Sequence, residues 1–160
     1  MTSIDWAGWA LFGLVATAAL TAVLIGAQLA GLTRMDIPLM LGTTAVADPD
    51  RARVVGALMH LVIGQGFALG YAGSFALLGE ANGLLGAGLG LLHGFVALLL
   101  IVPLLAGVHP RMASTRAGPD AVVGLEPPGP LGLNYGSQTV WVTLVAHVIY
   151  GTALGLLLAP

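Results

Sequence analysis

The sequence predicts an all-α integral membrane protein, a four-transmembrane-helix bundle made of two parallel helical-hairpin repeats. Three observations carry this. Four apolar stretches, residues 6–32, 54–78, 84–108 and 139–158, each reach the ~20 residues that a helix needs to cross a hydrocarbon core of about 30 Å. All five basic residues are Arg, and they fall in only two of the gaps: Arg34, Arg51 and Arg53 after the first stretch, Arg111 and Arg116 after the third. The second and fourth stretches share a pattern around a histidine, His60-x3-Gly64 and His147-x3-Gly151.

Composition excludes the ordinary soluble class, because 58% of residues are hydrophobic and 8% charged, where soluble domains carry about 25% charged residues. The 160 residues suffice for one bundle with loops too short for a second core, so a single transmembrane domain is expected over residues 1–160. The chain has no Cys, which removes disulfides, thiolate nucleophiles and Cys-ligated metals. Five scattered Arg form no basic face, so nucleic acid is not the expected partner.

The first stretch begins after Asp5 with no preceding basic residue. It reads as a retained span and not as a signal peptide. The second has a clear start, with Asp48 as N-cap, Pro49 at the first helical position and Asp50 against the positive end of the dipole. The third follows the short turn Gly79-Glu80-Ala81-Asn82-Gly83. Between the third and fourth lies a Pro- and Gly-rich loop, about residues 109–138, whose five prolines forbid a long helix. Its apolar stretches, Val122-Val123-Gly124-Leu125 and Leu131-Gly132-Leu133, place it against the membrane surface or the bundle.

Each span must be helical, since only helices and closed barrels satisfy their backbone in lipid. The positive-inside rule makes both Arg-bearing gaps cytoplasmic and both termini non-cytoplasmic, in what is expected to be a bacterial plasma membrane. The ends of the first and third spans also correspond, Leu29-Ala30-Gly31-Leu-Thr-Arg34-Met35 beside Leu105-Ala106-Gly107-Val-His-Pro-Arg111-Met112. Two hairpins entering the membrane in the same direction would be related by an axis along its normal.

Small residues recur four apart within the spans: Ala18, Ala22, Gly26 and Ala30 on the first, Gly66 and Gly70 on the second, Gly86, Gly90 and Gly94 on the third, Gly151 and Gly155 on the fourth. In lipid such rows let helix backbones approach. They are expected to hold the bundle together, with some free to face another copy or a larger membrane complex.

Ionisable residues within the spans are His60, His93 and His147, with His109 at the end of the third. Intramembrane ionisable groups are expensive and mark candidate functional positions. Counted at ~1.5 Å per residue from the Arg-bearing side, His60, His147 and His93 lie about 10, 15 and 20 Å deep. No Asp or Glu lies in a span, so Gln28, Gln65, Thr143, Tyr150, backbone carbonyls, water or a ligand must serve as partners. Three readings follow: neutral histidines bonded to neighbouring helices in a non-catalytic membrane subunit or assembly protein, bis-histidine ligation of haem b, or a polar path for a proton, ion or small solute. No metalloprotease, nucleophile-elbow or phosphate-loop motif points to an enzyme.

Overall fold

A computed structural model describes residues 4–113 and 124–159. It is all α, with four helices long and apolar enough to cross a membrane. Helix α1 (Trp6–Leu29) is capped by Asp5, whose Oδ1 accepts from the Gly8 amide at 3.0 Å. It stops short of the expected end because the chain turns at Gly31, with φ of 73°, a left-handed conformation that glycine adopts without a Cβ penalty.

The six-residue helix α2 (Ile37–Gly42) follows, an element the hydropathy pattern does not signal. Its sequence cue is a repeat of the Asp-then-Pro start seen at Asp48: Asp36 Oδ1 accepts from the Leu39 amide at 2.9 Å, and Pro38 occupies the first turn. Helix α2 lies backbone to backbone on α3 (Pro49–Leu78). A Cβ on Gly42 would meet the Ala52 carbonyl and one on Gly56 the Pro38 carbonyl.

Helix α3 starts as expected, the Asp48 carboxylate accepting from the Arg51 amide at 2.9 Å. It ends at Gly79 in the left-handed region. Asn82 then caps α4 (Gly83–Val96) through the Leu85 amide at 2.9 Å. The third span continues through a π-helical turn, Ala97–Ile101, into α5 (Val102–Val108). Pro103 supplies the reason: it has no amide to donate one turn back, and its ring crowds the Leu99 carbonyl, so the local ladder widens. Helix α6 (Thr139–Leu157) is the innermost span, with 50% of its apolar window buried against 22–28% in the others.

Helix α1 packs on both α3 and α6, and α4 packs on α6. The core between them joins Leu20 and Leu24 of α1, Tyr71 and Phe75 of α3, and Tyr150 and Leu154 of α6. Outward, Leu11, Val62, Leu92, Leu99, Trp141 and Leu156 are exposed, an apolar girdle suited to lipid and far larger than a soluble surface tolerates.

The glycine rows divide. Between α4 and α6 the expectation holds: a Cβ on Gly86 would meet the Gly151 carbonyl, one on Gly90 the His147 carbonyl, and one on Gly155 the Asn82 carbonyl. On α1 it fails, since Ala18, Ala22, Gly26 and Ala30 are all exposed. The packing row there is Gly13 and Thr17, set against Gln65 and Gly64 of α3. Gly66 and Gly70 have nothing within 4 Å of a Cβ and face outward. Spacing identifies a row of small residues but not the direction in which it points.

At the Arg-bearing end, the described part of the long loop lies on the bundle. A 3-10 turn (Pro130–Tyr135) sits under Met35, Met40 and Met112. Arg34 donates to the Asn134 carbonyl and pairs with Glu126 at 3.0 Å, and a short bridge joins Met112 to Leu125. Arg116, Pro119, Val122 and Val123 lie outside the described residues.

Candidate functional site

The three histidines of the spans come from α3, α4 and α6, and all line one cavity of about 110 Å³. Its polar lining is completed by Thr17, Thr143 and Tyr150, and its walls by apolar side chains such as Leu20, Leu24, Ile63 and Ile101. The π-helical turn contributes Ala97 and Ile101, so the distortion that Pro103 imposes also shapes the cavity.

The glycines of the α4–α6 contact determine where two of the rings stand. Because Gly90 lets α4 lie directly on the His147 carbonyl and Gly94 leaves room for Leu144 and the His147 Cβ, the His93 and His147 rings meet edge to face, centroids 4.6 Å apart. Residue counting had separated them by about 5 Å of depth, an offset that helix tilt and side-chain length remove. Phe67 stacks on the other side of His93 at 4.1 Å. Tyr71 Oη lies 3.4 Å from His93 Nδ1. Thus α4 meets α3 through long side chains, where it meets α6 through glycine.

His60 Nδ1 lies 3.0 Å from Thr21 Oγ1, and His147 Nδ1 lies 2.8 Å from the Thr143 carbonyl. Of the partners expected from sequence, Thr143 serves through its backbone and Tyr150 instead donates to the Gly64 carbonyl at 2.6 Å, tying α6 to α3. Gln65 faces α1, donating from Nε2 to the Trp9 and Ala10 carbonyls, while its backbone carbonyl accepts from the Trp9 indole. Thr21, Phe67 and Tyr71 are further members of the site that the pattern of ionisable residues does not mark. The available signal was the Gly13-x3-Thr17-x3-Thr21 spacing, which puts two hydroxyls on one face of a span.

No family model, curated protein or solved structure matches this chain. Geometry therefore carries the functional reading. His109 belongs elsewhere: buried at the end of α5, it donates from Nε2 to the Met40 carbonyl at 2.9 Å and accepts the Arg111 amide on Nδ1 at 3.1 Å. Arg111 in turn donates to the Thr43 carbonyl. Both ring nitrogens are used, which makes this a structural latch between α2 and the end of the third span.

Among the described residues no cluster of three or more His, Cys, Asp and Glu has the arrangement of a metal site. Nor do His93 and His147 face one another across a slot, since their rings are in contact and a macrocycle has no room between them. What the cavity offers is space for a few small molecules beside three imidazoles. Thr143, in its wall, is 2% exposed, and among the described residues its hydroxyl has no hydrogen-bond partner.

Proposed function

We propose that this protein is a small, single-domain, non-catalytic protein of the bacterial plasma membrane that holds and passes a small polar solute or a proton at a histidine-lined centre. The observation that carries this reading is the convergence of His60, His93 and His147 on one cavity. Ionisable side chains in a span normally face such interiors and mark solute or proton paths. The test is flux through proteoliposomes, read by an entrapped pH dye after an acid jump and by light scattering after a solute jump. The protein accelerates at least one relaxation over empty vesicles, and His93→Phe, which suits the Phe67 and Tyr71 neighbourhood, abolishes the acceleration. Equal rates with and without protein would retire the conduction reading.

The two-hairpin architecture belongs to the same proposal, with the Arg-bearing end cytoplasmic and both termini outside. Three matched pairs support the repeat. His60 and His147 line the same cavity, Met35 and Met112 share one buried cluster, and Gly64 and Gly151 each receive the partner helix of their own hairpin, at Thr17 and at Gly86 with Gly90. Residues near a twofold axis come together with their mates, as Met35 and Met112 do in that cluster. The halves differ where Phe67, Tyr71 and His93 wedge α3 from α4.

A second role, assembly with another copy or a larger membrane complex, is favoured by the outward row Gly66 and Gly70 on α3, open to any approaching helix. Gly70→Leu should then shift the detergent-solubilised assembly to lower mass while the monomer stays folded.

A further inference from the structure

We infer that the central cavity is a binding site for a small uncharged molecule that donates hydrogen bonds, of the size of ammonia, received by Nε2 of His60 and Nε2 of His147. This rests on the reading of the cavity as the protein's working centre and names the chemistry of its occupant.

The tautomers follow from hydrogen-bond accounting. Thr21 donates its hydroxyl proton to the Thr17 carbonyl at 2.7 Å. Its oxygen can therefore only accept from His60 Nδ1, 3.0 Å away, so that nitrogen carries the proton. The Thr143 carbonyl, 2.8 Å from His147 Nδ1, has no proton to give, so His147 also carries its proton on Nδ1. A neutral imidazole with N–H at Nδ1 has a lone pair at Nε2. Both rings are thus fixed as acceptors at the nitrogen left over, and among the described residues neither Nε2 has a protein partner.

Three properties of the occupant follow. Two acceptors call for a molecule with at least two N–H or O–H donors. Among the described residues no carboxylate, Lys or Arg lines the cavity, so a cation or an anion would be buried there without a counter-charge, which is strongly unfavourable. The volume of about 110 Å³ limits the ligand to a few heavy atoms, well below the roughly 300 Å³ of ordinary ligand pockets.

The experiment is nitrogen NMR of histidine-labelled protein in detergent, with His60 and His147 assigned by single substitution. Both rings should appear as the neutral Nδ1–H tautomer at neutral pH, against the preference of free histidine for Nε2–H. Added ammonia, at a pH where an appreciable fraction is uncharged, should move both Nε2 resonances saturably. Acetonitrile, small and uncharged but without donors, should move neither. An Nε2–H tautomer at either ring, no saturable ammonia response, or an equal response to acetonitrile would overturn the inference. These readouts are independent of flux: saturable ammonia binding without transport would retire conduction and sustain the site, and transport without ammonia binding would do the reverse.

Discussion

The backbone of Gly90 lies against the carbonyl of His147, so closely that a Cβ could not be placed between them. This contact puts α4 on α6 and brings the His93 ring onto the His147 ring. Packing and the candidate site therefore share one determinant, and glycine serves here by having no side chain, not by its conformational freedom.

Gly90→Leu should consequently be among the most damaging single changes in the bundle. Overpacking of a tight contact costs about 1–3 kcal/mol or more, whereas Leu99→Ala, at a side chain 57% exposed on the outer face, should cost under about 1 kcal/mol. Thermal unfolding in detergent compares them. Equal losses would mean that the α4–α6 contact does not hold the bundle.

His60 and His147 share a cavity without sharing a helix, which makes a double-mutant cycle informative. If both receive one ligand, His60→Ala and His147→Ala each remove binding or flux, and the double mutant is little worse than either single. Additive losses of stability with function intact would return both residues to a purely structural role.

Orientation is testable because the chain contains no Cys. Glu80→Cys lies in the turn between α3 and α4, and Asp50→Cys lies at the Arg-bearing end, its native carboxylate 96% exposed. An impermeant thiol reagent added to intact cells should label Glu80→Cys and spare Asp50→Cys. The opposite pattern would invert the topology.

Tyr135 ties the described loop to the bundle, donating its hydroxyl to the Glu126 carbonyl. Burial, with the Glu126 carboxylate nearby and Arg34 opposing, pushes its phenol from the ordinary 10.0 up to about 12. A phenol harder to ionise in the folded state contributes stability that is complete below pH 10 and is lost as pH rises through about 12. Phenolate absorbance should rise together with loop release in that window, and Tyr135→Phe should remove this pH dependence. Ionisation of Tyr135 near pH 10, with the loop still docked, would contradict the burial.

Hydropathy located the four spans to within a few residues, because a helix in lipid must satisfy its own backbone and needs no neighbour to do so. The same local logic located the start of α3, where Asp48 and Pro49 act on adjacent amides. It passed over α2, whose six residues are too few for periodicity and whose stability comes from the backbone contact with α3 at Gly42 and Gly56.

The sequence by itself determined four helices long and apolar enough to cross a membrane, with three histidines inside them, since both facts depend only on composition along one helix. Only the tertiary structure decided that these histidines share one cavity, that Gly90 and Gly151 face inward while Gly66 and Gly70 face out, and that Thr21 of α1 meets the His60 ring. Lipid is as apolar as leucine, so hydrophobicity does not distinguish a helix face that packs from one that does not. That choice rests on the fit between helices, which becomes legible only when all four are in place.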